Sequence, residues 1–171
     1  LAAALYRPSM DRVGLLRQAK DDGEMVLLRA DVFAFLVDTA RDWKLRREAS
    51  RMAQGLLAPK GLNLDKIDAG MASTALLVAL QEQGQGYFDK LVQQLFASDD
   101  ALVRGVIIDA LAQVDDPSLG ESVRALVLDP RLRSNEIPDL LDTHLRRQDN
   151  WEPGLAWLKS HFSELSARVS T

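Results

Sequence analysis

Apolar residues recur along this chain at three- and four-residue intervals, and the spacing is broken every ten to twenty residues by Gly, Pro, Asp or Asn. A helical backbone turns about 100° per residue, so such positions fall on one stripe. The pattern therefore calls for short amphipathic helices packed side by side. No segment shows the period-two alternation of a half-buried strand. The residue supply agrees, with 29 Leu and 21 Ala against 20 Val, Ile and Thr combined. Leu and Ala favour helix and the β-branched residues favour sheet, so the chain reads as all-α. At 171 residues it suffices for a single helical-repeat domain over 1–171 with a substantial core.

The punctuation gives the expected elements. Ser9 starts a helix over 10–21 that ends in Asp21-Asp22-Gly23. A second helix, 25–42, presents Val32, Phe33, Leu36, Val37 and Ala40 on one face. A third, 44–57, stops before Pro59 and Gly61. Leu64 to Gln83 reads as one long helix, broken by Gly84 and Gly86. Helices over 87–97, 99–114, 117–128, 135–147 and 150–168 follow, with connections short enough to make neighbours antiparallel. Asp116-Pro117 sets a capping carboxylate before a proline at the first helical position. Asn135 and Asn150 are the expected caps of the last two helices.

A 30-residue shift aligns Asp99, Leu102, Ile107, Asp109 and Leu111 with Asp129, Leu132, Ile137, Asp139 and Leu141. Either these are repeated helix pairs or two amphipathic helices sharing a spacing. In both cases the expected architecture is stacked helical hairpins.

Charge and composition exclude several functions. Twenty-one basic against 25 acidic residues give a net charge of −4, which argues against a nucleic-acid binder. The longest apolar runs, Val32–Val37 and Ala75–Leu80, fall far short of the roughly 20 residues of a membrane span. The opening Leu-Ala-Ala-Ala-Leu has no basic segment before it and is too short for a signal peptide. A chain that begins with Leu rather than Met is expected to be a piece of a longer one. With no Cys in the sequence, disulfides, thiolate nucleophiles and Cys-bound zinc are excluded.

The two histidines, His144 and His161, fall on different expected helices and outside any H-E-x-x-H, so no catalytic or metal site is read here. His144 could join Glu136 or Asp139 in a metal site, but such a site would lack a second clustered nitrogen ligand, so His144 is expected at the surface or as a cap. Paired acids at 21–22, 99–100 and 115–116 lie at helix ends and serve structure. Arg41 to Arg51 holds five basic residues against two acidic ones and reads as a solvated helix face, with docking of an acidic partner as the alternative. Trp43 is expected to pack in the core, with an interface residue as the alternative; Trp151, Trp157 and Phe162 are expected to pack, and Trp157 and Leu165 to face the stack.

The last third carries a family likeness. Asp-Pro-Ser-Leu at 116–119, the run LDPRLRSNEIPDLL at 128–141 and AWLKSHFSEL at 156–165 resemble the C-terminal helical domain of the aminopeptidase N family of zinc metallopeptidases, which includes the endoplasmic-reticulum aminopeptidases. The matching positions are Leu132, Arg133, Asn135 and Glu136, then Ala156, Trp157, His161, Phe162 and Leu165. Earlier, DRVGLLRQA at 11–19, DTARDW at 38–43 and Tyr6-Arg7 are similar to the family, although Arg17-Gln18 replaces an acidic pair.

The resemblance implies HEAT- or armadillo-like hairpins stacked as an α-solenoid. It implies a noncatalytic part that closes over the active site and lines the peptide chamber. Its partners would be the catalytic domain of the same parent chain and the peptide substrate, and zinc is expected in that catalytic domain, with no cofactor in this chain. The alternative is a free-standing helical-repeat scaffold that binds another protein. Arg133, Asn135 and Glu136 are the candidate contact residues for peptide or catalytic domain; the competing role is to hold their loop by capping.

Overall fold

The computed structural model describes residues 2–58, 61–65 and 67–169. Nine α-helices form among them: α1 (Ala2–Val13), α2 (Gly23–Ala34), α3 (Trp43–Leu56), α4 (Ala69–Gln83), α5 (Gln85–Ala97), α6 (Ala101–Ala112), α7 (Pro117–Val127), α8 (Ile137–Arg146) and α9 (Gln148–Val169). The chain is all-α apart from a hairpin of β1 (Leu57–Ala58) and β2 (Gly61–Leu62), paired Leu57 to Leu62 and Ala58 to Gly61. Its contacts divide it into two compact units, Leu1–Glu82 and Gln83–Thr171.

In the first unit, α1 begins and ends earlier than the sequence pattern predicts. Gly14 takes φ +72° and donates its N–H to the Met10 carbonyl at 2.8 Å, the left-handed stop that terminates helices. The expected helix over 10–21 therefore becomes a loop after Val13. Arg29 of α2, fully buried, fastens that loop: its Nε donates to the Gly14 carbonyl at 3.1 Å, Nη1 to Asp68 at 2.7 Å, and Nη2 pairs with Asp21.

Asp22 caps α2 by accepting from the Met25 N–H at 2.8 Å. The expected helix over 25–42 widens into a π turn at Phe35–Thr39 and ends where Arg41 takes φ +51°. Val32, Phe33, Leu36 and Val37 form the buried face, with Ala40 half-buried beside it.

The hairpin departs from a strand-free reading. Gly61, the first residue of β2, takes φ +120°, a conformation open to glycine. Pro59 and Lys66, read as a helix stop and as part of the fourth helix, lie outside the described residues. α4 starts at Ala69 because Asn63 accepts from the Asp65 N–H at 3.0 Å in a turn of its own, and Asp68 is held by Arg29. From Met71 to Leu80 every residue of α4 is buried.

In the second unit, α6 packs on α5 and α8, and α8 also packs on α7 and α9, while α7 touches α9. This neighbour and next-but-one pattern is that of stacked hairpins. The repeat-aligned Ile107 and Ile137 are both buried, and Asp109 and Asp139 are both exposed. Asp100 caps α6 through the Leu102 and Val103 N–H groups at 2.8 and 3.2 Å. Asp116 caps α7 at 3.0 and 3.1 Å with Pro117 as its first residue.

Four expectations fail here. Asn135 does not cap α8; it sits exposed inside a 3-10 turn, Ser134–Glu136. Asn150 does not cap α9; it is 1% exposed and donates to the Val114 carbonyl at 2.5 Å. His144 is fully buried rather than at the surface, with Nδ1 3.2 Å from Asn150 Nδ2 and Nε2 3.4 Å from Arg124 Nη1. Burial, then the Arg124 charge, push its pKa down to about 4 against a backbone hydrogen bond to Ala112 that favours the proton, so it is a neutral imidazole. Trp43, Trp151 and Phe162, expected to pack, are 62, 57 and 63% exposed.

Candidate contact site at the start of α8

The run from Leu128 to Leu141 enters α8 only at Ile137 and is irregular before that apart from the 3-10 turn, so its backbone groups there need partners other than a helix ladder. Arg168, in the last turn of α9, donates to two of them, the carbonyls of Asp129 (2.9 Å) and Leu132 (2.8 Å), and also to that of Val127 at the end of α7. Arg131 grips Asp129 with two bonds of 3.0 and 2.7 Å and lies 4.0 Å above the Phe96 ring. Leu132 is buried in the core.

Glu136 sits where the run becomes helical. Its Oε1 accepts from Arg104 Nε at 2.5 Å, and its Oε2 accepts from Arg104 Nη2 at 2.7 Å and from the Arg133 N–H at 3.0 Å. The Glu136 N–H in turn donates to the Arg133 carbonyl at 2.9 Å. Arg104 Nη1 also donates to the carbonyls of Leu95 at 2.5 Å and Ser98 at 3.1 Å, closing the end of α5. Burial alone would raise the Glu136 pKa; the Arg104 hydrogen bonds and the Arg133 N–H outweigh it and hold the carboxylate below its usual range. Glu136 is thus a fully engaged anion that ties α5, α6 and the 3-10 turn together.

Arg133 and Asn135 are placed differently. The Arg133 side chain is 39% exposed and its Nη2 reaches Asp99 Oδ1 at 3.2 Å. Asn135 is exposed. The structure therefore brings the three candidates into one turn but divides them, with Glu136 inward and Arg133 and Asn135 outward. The other matching residues divide likewise: Leu165 is buried, Phe162 exposed, and half-buried Trp157 stacks on His161 with ring centroids 4.8 Å apart.

Sequence reasoning missed Arg104 and Arg168. Arg104 did carry a signal, since it falls on the same α6 stripe as Ile107 and Leu111. An arginine on a buried stripe needs an anion, and Glu136 was available. Arg168 carried none, because its acceptors are backbone carbonyls.

Among the described residues no three His, Asp or Glu side chains gather to hold a metal ion. No helix of the structure is long and apolar enough to cross a membrane.

Residues 1–171 match the family described as the ERAP1-like C-terminal domain. No curated protein matches the chain.

Proposed function

The chain belongs to the ERAP1-like C-terminal domain family, and from that premise we propose that it is the noncatalytic C-terminal part of a zinc aminopeptidase. In this reading it closes over the active site of a catalytic domain in the same parent chain and lines the chamber that holds the peptide. The family match runs through both compact units, which supports counting 1–171 as one family domain. Zinc belongs to the catalytic domain. The histidines here do not suit it: His144 is buried against Arg124, and His161 lies on Trp157.

The observation that carries the reading into residues is the division of the family motif at the start of α8. Glu136 is consumed by Arg104, whereas Arg133 and Asn135 of the same turn point outward. A half-exposed guanidinium with one ion-pair partner retains donors for a carboxylate or carbonyl of a peptide or a neighbouring domain. Asn135 adds a donor and an acceptor beside it.

The test is the parent enzyme carrying Arg133→Ala and Asn135→Ala. A fall of roughly threefold or more in kcat/KM for a long peptide, corresponding to about 0.7 kcal/mol of lost transition-state stabilisation, supports the reading when thermal stability is unchanged. Peptide cleavage equal to that of the unmodified enzyme counts against it.

A further inference from the structure

The fold sorts the basic run from Arg41 to Arg51 into side chains used inside and side chains left outside. Asp42 is taken by Arg7 of α1 and by the N–H groups of Lys44 and Leu45, at 3.0 and 3.1 Å. Arg46 turns inward, donating to the Val37 carbonyl at 3.2 Å and to Gln81 at 3.1 Å. Arg41 reaches the same Gln81 oxygen at 3.4 Å. What remains is the outer face of α3. Its exposed residues are Trp43, Lys44, Arg47, Arg51, Gln54 and Gly55. At about 100° per residue they all fall within one arc of about 120°. None of them is acidic. Ala49, Ala53 and Leu56 are buried on the opposite side.

Two properties set this face apart from an ordinary solvated one. Its cations are poorly neutralised. Glu48, at the edge of the arc, pairs with Arg51, but with side chains 43 and 59% exposed water weakens that pair. Lys44 lies 5.6 Å from the centre of the Trp43 ring, and no acidic side chain among the described residues pairs with Lys44 or Arg47. The second property is Trp43 itself, 62% exposed at one end of the arc. Indole has an apolar body and a polar N–H, and it settles at the level of lipid headgroups. The acidic excess of the chain lies elsewhere. Residues 1–82 hold twelve basic and eleven acidic side chains, against nine and fourteen in residues 83–171.

We propose that the outer face of α3 binds an anionic lipid surface, with the helix lying along it. Trp43 sits at headgroup depth, and Lys44, Arg47 and Arg51 meet lipid phosphates. From Lys44 to Arg51 the helix advances about 10 Å, so the three cations meet one plane together. They stand on long, mobile stems over a convex helix surface, which suits headgroups that move within a plane. An acidic polypeptide is better held by donors fixed in a groove. Each cation near such a surface raises partitioning roughly fivefold, so three give about a hundredfold. Binding of this kind is peripheral, and salt reverses it because charge is screened beyond about 10 Å at 0.1 M.

Co-sedimentation of the chain with phosphatidylcholine vesicles, with and without about 30% phosphatidylglycerol, tests this. The expected result is at least tenfold stronger partitioning onto the anionic vesicles, lost as salt rises from about 0.05 to about 0.5 M. Lys44→Glu with Arg47→Glu should lower it at least tenfold, and the milder pair Lys44→Gln with Arg47→Gln should lower it less. Trp43→Ala should lower it about threefold or more. These side chains are exposed, so the variants fold, which circular dichroism checks. Lys90→Glu with Lys159→Glu makes the same change in net charge on exposed residues of the second unit and should leave partitioning within about twofold. Equal binding to neutral and anionic vesicles overturns the inference, as does no binding to either or an equal loss in the control pair. Capture of polyglutamate without binding to vesicles also overturns it, because the face then belongs to an acidic polypeptide. None of these results bears on Arg133 and Asn135, so the inference and the proposed function stand or fall separately.

Discussion

At the scale of single residues, charge that is buried and charge that is exposed behave oppositely around one turn. Arg104 and Glu136 meet in two hydrogen bonds out of water, and removal of either leaves the other as an uncompensated buried ion. Glu136→Ala should therefore cost about 3–5 kcal/mol of stability, read from chemical denaturation. Arg133→Ala removes only the exposed pair with Asp99 and should cost less than about 1 kcal/mol. Equal losses for the two variants would contradict the division of roles. His144 gives a pH dependence. Above pH 6.5 the imidazole is neutral in folded and unfolded chains alike. As pH falls towards 4 the unfolded chain takes the proton and the folded chain refuses it, because burial and Arg124 disfavour the imidazolium. Stability should thus drop by about 1.4 kcal/mol per pH unit through that window, up to roughly 3 kcal/mol in all. His144→Gln should flatten the slope between pH 6.5 and 4. A slope unchanged in that variant would exclude His144 as its source.

At the scale of elements, what was legible in the sequence was what is decided locally. Asp100, Asp116 and Pro117 work as helix starts because a carboxylate two or three residues before an N–H needs no distant partner. The caps expected at Asn135 and Asn150 fail because distant groups win. Arg104, 32 residues from Glu136, sets the start of α8, and the carbonyl of Val114, 36 residues from Asn150, draws that side chain inward. The stop at Gly14 was legible only as a glycine, since its left-handed conformation belongs to the folded backbone. The exposed Trp43, Trp151 and Phe162 were misread because hydrophobicity alone does not say which side of a helix is covered. The cluster joining α7, α8 and α9 makes its own prediction. A Cβ on Gly120 would lie 2.7 Å from Asn150 Oδ1 and 3.4 Å from both Arg124 Nη1 and His144 Cε1. Gly120→Ala should cost about 1–3 kcal/mol, the range of an overpacked interior. An unchanged thermal midpoint would show that the cluster yields.

At the scale of the whole molecule, the chain is all-α and belongs to the ERAP1-like C-terminal domain family, and among the described residues no three His, Asp or Glu side chains gather to hold a metal ion. The all-α class followed from the Leu and Ala excess and the spacing of apolar residues, because helix formation and one-sided burial are encoded within each segment. The functional assignment did not follow from residue chemistry. It came through a family motif whose buried half, Leu132 and Glu136, records packing and whose exposed half, Arg133 and Asn135, we propose for contacts. We propose that the chain serves peptide handling by a catalytic domain elsewhere in its parent. The direct measurement is hydrolysis by the parent enzyme, with and without residues 1–171, of a long peptide and of a single aminoacyl amide. Removing these residues should impair peptide cleavage far more than amide cleavage. Equal effects on the two substrates, or none on either, would contradict it.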